Sequence, residues 1–84
     1  METVEARVKA VTARVLKIEL DQIKPEHHFG ADLGAESVQS IELVAMFEEE
    51  FEIDMDEDEA LAVTSVSSAT EFITKVCQEQ GVQI

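Results

Sequence analysis

The sequence is poor in residues that break helices or cross-link chains. It contains one proline, three glycines and one cysteine in 84 residues. A single cysteine cannot form an internal disulfide, so Cys77 is predicted to be a small apolar core residue in an intracellular protein. Residues 38–51 contain neither proline nor glycine, which favours a helix there.

Basic residues are also scarce. Six lysines and arginines stand against nineteen acidic residues, for a formal net charge of -13, and none lies between Lys24 and Lys75. Such a surface repels nucleic acid and anionic membranes and attracts basic protein surfaces. We therefore expect no nucleic-acid partner. Solubility alone is the other explanation of the acidity.

Long apolar runs are missing as well. No run approaches 18 residues, and the first ten residues lack the apolar segment of a secretory signal, so we expect a cytoplasmic protein without a membrane span. A chain of 84 residues has room for one domain, residues 1–84, with a small core. We expect a monomer. We also expect that the protein is not an enzyme, because no catalytic cluster is visible in the sequence.

Metal-binding patterns are weak. His27 and His28 have no clear third ligand. Asp54, Asp56 and Asp58 have the spacing with which a calcium loop begins, but the later turn glycine and terminal glutamate are missing. No metal site is predicted.

Hydrophobic periodicity predicts an all-α fold, a small four-helix bundle of three longer helices and one short helix with a long first loop. The predicted helices cover residues 2–17, 38–51, 57–63 and 68–81, and the loop covers residues 20–36. A capping box of Ser68 and Glu71 is expected to begin the last helix, and Gly81 to end it. The predicted core contains Val4, Val8, Val11, Val15, Ile23, Phe29, Leu33, Ala60, Leu61, Val63, Ala69, Phe72, Ile73 and Val76.

The helix over residues 38–51 has two apolar faces. The first contains Leu43, Val44, Phe47 and Phe51 within about 100°, the width of a core-facing stripe. The second contains Val38, Ile41 and Ala45 beside Glu42, Glu48 and Glu49. Because a domain of this size cannot easily bury both faces, the second face is predicted to be a partner surface. Alternatively, it covers a neighbouring helix.

Ser37 lies at the start of the helix predicted over residues 38–51, after a loop that contains Gly30 and Gly34. A serine at such a position is commonly an N-cap. No histidine and acid are arranged beside it as a base relay, so it is a poor nucleophile by itself and is better explained as a modification site. Both roles remain open from the serine alone.

The stretch FGADLGAESV over residues 29–38, followed by IELV and EEEF, closely resembles the phosphopantetheine attachment region of acyl carrier proteins. That region has the pattern Phe-x-x-Asp-Leu-Gly-Ala-Asp-Ser-Leu. The order of predicted elements resembles the carrier fold over roughly residues 4–77. The resemblance implies that a phosphopantetheinyl transferase attaches phosphopantetheine from coenzyme A to Ser37, where the helix start would favour the phosphate.

The resemblance also implies partners. The arm would carry acyl groups as thioesters to acyl transferases, synthases or ligases of fatty acid or related lipid biosynthesis, and a short acyl chain would shelter beside the second helix. Basic surfaces of these enzymes would dock on Asp32, Glu36, Val38, Ile41, Glu42, Ala45, Glu48 and Glu49.

Two departures from the family pattern indicate a specialised member. Glu36-Ser37-Val38 stands where Asp-Ser-Leu is usual, and Met55-Asp56 stands where a proline is frequent. Specialised relatives serve lipid A acylation, polyketide assembly or aminoacyl and peptidyl transfer, and the sequence does not choose among them. An acidic interaction module that is never modified remains as an alternative of a different class.

Overall fold

The computed structural model describes residues 3–84 and contains four α-helices. These are α1 (Val4–Leu16), α2 (Ser37–Phe51), α3 (Glu57–Ala62) and α4 (Val66–Gln80), with a 3₁₀ turn at Leu20–Gln22. No strand is present within residues 3–84, where His28 and Ser65 form an isolated bridge. The predicted all-α bundle of three longer helices and one short helix is confirmed.

Helix α1 packs against both α2 and α4, and α3 packs against α2. The core that they share contains Val8, Val11, Ile23, Phe29, Leu43, Phe47, Phe51, Ile53, Val66, Ala69, Ile73, Val76 and Cys77. The predicted core residues Val4, Val15, Leu33, Val44, Val63 and Phe72 are half-buried. Leu61 is exposed, because the short helix α3 buries only Ala60 against the core.

Cys77 is fully buried, as predicted for an apolar core residue. Burial raises the pKa of its thiol, and the nearby positive charge of Arg7 offsets part of that rise. A buried thiol with a raised pKa is a poor nucleophile. Thr12 is a core residue that the apolar pattern missed; its hydroxyl donates to the carbonyl oxygen of Val8 at 2.8 Å and is satisfied inside α1.

The predicted helix ends need two corrections. Helix α4 begins at Val66 rather than near Ser68, and its cap is Ser65, whose hydroxyl accepts from the Ser68 N–H at 3.2 Å. The predicted capping box of Ser68 and Glu71 is therefore wrong, because α4 starts earlier, with the fully buried Val66 as its first residue. Gly81 ends α4 at φ 72°, as expected.

Helix α1 begins after Thr3, whose hydroxyl accepts from the Ala6 N–H at 3.1 Å. The predicted start at Glu2 lies outside the described residues. The helix ends at Leu16, one residue before the predicted Lys17, which adopts a left-handed conformation at φ 57°.

The long first loop is attached to the segment that leads into α4. The Phe29 N–H donates to the Thr64 carbonyl at 2.8 Å, and the Val66 N–H donates to the His27 carbonyl at 3.0 Å. A further bond joins the Ser67 N–H to the Pro25 carbonyl at 2.9 Å. These bonds, with the buried Ile23 and Phe29, hold the loop against the bundle.

Arg7 links α1 to the end of α2. Its guanidinium donates to the Glu50 carboxylate at 2.9 Å and to the Glu50 carbonyl at 2.8 Å. The same group lies 4.3 Å from the centre of the Phe51 ring. One side chain thus combines an ion pair, a main-chain bond and a cation–π contact between the two helices.

Replacing Arg7 by Met should lower the free energy of unfolding by about 1 to 3 kcal/mol, because three charge-assisted contacts are lost together. Urea unfolding measures the change. The matched control is Lys9→Met, which removes a partly exposed pair with Glu5 at 3.4 Å within one helix and should cost less than about 0.5 kcal/mol. Equal losses in the two variants would show that Arg7 contributes no more than a surface charge.

Candidate functional site

The loop before α2 turns sharply at Gly34. This residue has φ 75°, a conformation that side chains disfavour, and its N–H donates to the Gly30 carbonyl at 3.2 Å. The next residue, Ala35, donates its N–H to the Phe29 carbonyl at 2.8 Å. Because Phe29 is buried, the turn is tied to the core and brings the chain to Ser37 in a defined direction.

Asp32 stabilises the same turn. Its carboxylate accepts from the His28 N–H at 2.7 Å, and its own N–H donates to the His28 carbonyl at 3.0 Å. The neighbouring His27 has a structural role too, since its Nδ1 accepts from the Lys24 N–H at 3.2 Å. Asp32 is exposed, and its predicted contribution to docking stays a prediction.

Ser37 is the first residue of α2 and not its N-cap, so the N-cap interpretation is wrong. The N-cap is Glu36, in an extended conformation at φ -86° and ψ 166°, and its carbonyl accepts from the Ser40 N–H at 2.9 Å. The side chain of Gln39 reaches back, and its amide oxygen accepts from the Glu36 N–H at 2.9 Å.

The Ser37 side chain is exposed, and its hydroxyl has no hydrogen-bond partner within residues 3–84. The first N–H groups of a helix have no acceptor inside it, so those of Ser37 and Val38 point out at the positive end of the helix dipole. This arrangement suits a phosphodiester on the Ser37 oxygen, because an exposed acceptor atom lies beside two available donors.

The second apolar face of α2 is open to solvent. Val38 is 71% exposed and Ile41 is 51% exposed, and Ala45 is exposed with them. Glu36, Glu42 and Glu49 are exposed along the same helix. The alternative that this face covers a neighbouring helix of the chain is therefore wrong for the described residues.

Glu48 differs from the other predicted docking glutamates. It is half-buried, and its carboxylate accepts from the Met55 N–H at 2.9 Å. This bond joins α2 to the segment before α3. Glu48 therefore already has a structural role, and a docking role for it remains a prediction.

An apolar cavity of about 200 Å³ lies between α2, α3 and α4. Its lining includes Leu43, Phe47, Ala60, Phe72 and Ile73, with the polar groups of Ser40 and Thr64. Ser40 stands three residues after Ser37, close to one turn along α2. Sequence reasoning expected shelter beside the second helix but identified neither Ser40 nor Gln39. The Glu36-x-x-Gln39 spacing of a capping box was the available signal for Gln39.

Within residues 3–84, no three histidine, cysteine or acidic side chains are grouped so as to hold a metal ion. No helix in that part of the chain combines the length and apolar character needed to cross a membrane.

The Phosphopantetheine attachment site family matches residues 6–73, which include the loop, the whole of α2 and most of α4. Since this is most of the 84-residue chain, the protein belongs to that family. It is a carrier protein with a covalently attached phosphopantetheine group. Such domains interact with a phosphopantetheinyl transferase and with catalytic partners.

Proposed function

We propose that the protein is an acyl carrier protein that holds acyl intermediates on phosphopantetheine at Ser37 and delivers them to enzymes of fatty acid or related lipid biosynthesis. The observation that carries this proposal is the exposed Ser37 hydroxyl at the start of α2, which has no hydrogen-bond partner among residues 3–84. The attached group supplies a terminal thiol that holds acyl groups as thioesters.

Ser37 acts as a substrate in this proposal. Its hydroxyl oxygen attacks the pantetheine-bearing phosphorus of coenzyme A, forms the phosphodiester bond and loses its proton. The pyrophosphate bond of coenzyme A breaks, and the adenosine bisphosphate half leaves. Because no histidine or carboxylate contacts this hydroxyl within residues 3–84, the base that takes the proton belongs to the transferase. The N–H groups of Ser37 and Val38 then stabilise the negative charge of the phosphate.

The Ser37→Ala variant should accept no arm while keeping its fold, since the Ser37 side chain is exposed and Glu36 is the N-cap of α2. Intact mass after incubation with coenzyme A and a broad-specificity phosphopantetheinyl transferase measures the addition. Ser40→Ala is the matched control, one turn away, and should gain one arm like the wild type. A wild type that gains none with several transferases would favour the unmodified acidic module.

The exposed face of α2 supports a docking role. We define the docking face as Val38, Ile41, Ala45, Glu42 and Glu49. Its apolar side chains suit a shallow apolar depression, and its carboxylates suit lysines and arginines at the rim of that depression. Asp32, Glu36 and Glu48 extend the negative charge around the face. Partners bound here would lie next to Ser37.

Changing Glu42 and Glu49 together to Lys should slow association with the transferase roughly tenfold at low salt, because two attractive charges become repulsive. Stopped-flow association rates measure the effect, which should shrink as salt is added. Changing Glu71 and Glu79 of α4, both exposed, to Lys alters the net charge equally and should slow association much less. Equal slowing in the two double variants would show that the effect comes from net charge and not from the docking face.

The cavity indicates what kind of acyl group the protein shelters. An apolar cavity of about 150 Å³ admits a molecule the size of benzene, so 200 Å³ accommodates an alkyl chain of roughly six to eight carbons. Its lining is mostly apolar and would leave the charged amine of an aminoacyl group unpaired, at a considerable cost. The cavity therefore favours fatty acyl over aminoacyl or peptidyl cargo.

Loading acyl chains of increasing length should raise the melting temperature by about 4 °C or more up to roughly six to eight carbons, because each buried methylene adds apolar contact. Longer chains should add little once the cavity is full. The unacylated carrier is the reference in each thermal scan. A melting temperature that does not change with chain length would show that the cavity stays empty.

The cellular setting is part of the proposal. The buried, unpaired Cys77 agrees with a reducing compartment, and we place the protein in the cytoplasm. We also infer that residues 1–84 act as one monomeric carrier domain. The protein performs no reaction of its own and is acted on by its partner enzymes.

A further inference from the structure

Ser37 stands one residue beyond the position that a serine usually takes at a helix start. Serine is among the best N-cap residues, because its hydroxyl accepts from an N–H two or three residues later. This chain uses hydroxyls in that way twice. Thr3 accepts from the Ala6 N–H at 3.1 Å, and Ser65 accepts from the Ser68 N–H at 3.2 Å. At α2 the hydroxyl is left out of the cap.

The cap of α2 is instead a capping box of Glu36 and Gln39, in which each side chain accepts the N–H of the other residue. The side chain of Gln39 supplies one half of this box. Its amide oxygen lies 2.9 Å from the Glu36 nitrogen and accepts that N–H. Glu36 is thereby held as the N-cap, with its carbonyl 2.9 Å from the Ser40 nitrogen. The helix consequently begins at Ser37.

If α2 began one residue later, the hydrogen bonding of the Ser37 hydroxyl would change. Ser37 would then be the N-cap, and its hydroxyl would accept from the Ser40 N–H in place of the Glu36 carbonyl. That bond would engage the oxygen that must attack phosphorus and would turn it toward the helix. Holding the earlier start therefore keeps the nucleophilic atom free and directed outward.

We propose that Gln39 is a positioning residue for Ser37: by accepting the Glu36 N–H it sets the start of α2 and keeps the Ser37 hydroxyl available for phosphopantetheine attachment. The inference rests on the proposed role of Ser37. It assigns to Gln39 an effect on the rate of attachment without contact with the transferred group.

The chain offers a matched control for this bond. In the 3₁₀ turn, the Gln22 side chain accepts from the Glu19 N–H at 3.1 Å, in the same Glu-x-x-Gln arrangement. Gln22 is exposed and lies in the first loop, before the turn that leads to Ser37. Gln22→Met and Gln39→Met thus remove equivalent bonds at similar side-chain length, and only the second lies at the serine.

The test measures steady-state attachment to the full chain with coenzyme A and a phosphopantetheinyl transferase. Gln39→Met should lower kcat roughly three- to tenfold with KM nearly unchanged, because the docking face is intact. Gln39→Glu retains an acceptor oxygen and should restore most of the rate. Gln22→Met should match the wild type. Amide hydrogen exchange should show lost protection of the Glu36 N–H in Gln39→Met alone.

The outcomes are distinct. A wild type that is never modified at Ser37 overturns the proposed function together with this inference. A modified wild type with an unaffected Gln39→Met rate overturns only the inference. The inference also fails if Gln39→Met and Gln22→Met slow attachment equally, or if Gln39→Glu does not recover, since the effect would then be one of general stability. Melting temperatures of all variants accompany the rates.

Discussion

The burial of Phe29 is the constraint on which the rest of the structure depends. Its ring packs against Phe47 of α2, with centroids 6.4 Å apart. Its N–H bonds to Thr64 before α4, and its carbonyl accepts the N–H of Ala35 at the end of the loop. One residue thus joins the loop, the second helix and the entrance to the last helix. An exposed serine can have a defined direction only because the chain just before it is fixed in this way.

The two faces of α2 have different environments and different roles. Leu43, Phe47 and Phe51 contribute to the core, while Val38 and Ile41 remain in solvent with acidic neighbours. In a bundle of this size, burying the second face would require another helix. The exposed face therefore persists at a cost in apolar hydration that a partner surface would relieve on binding.

Much of the fold was predictable from local patterns. Apolar residues at helical spacing indicated the three longer helices of residues 3–84, and Gly81 marked the end of α4. The start of α4 was not predictable in this way, because the Ser68 and Glu71 spacing satisfied the local rule for a capping box. The structure uses Ser65 instead, since only the assembled core shows that Val66 is fully buried. A cap is a local bond, but tertiary packing selects which of several possible caps is used.

The candidate site, like the fold, was predictable from the sequence only in part. Three features could be predicted from the sequence: the motif around Ser37, the acidic rim and the two apolar faces of α2. They depend on residue order, short-range chemistry and the helical period alone. The folded structure decided between caps that were both available locally, since Glu36 rather than Ser37 caps α2. It also decided that Glu48 bonds to Met55 and that a cavity remains between α2, α3 and α4. The cavity depends on the distances between helices that are remote in sequence, and the two bonding arrangements depend on a choice between bonds of similar strength. Residue order alone contains neither quantity.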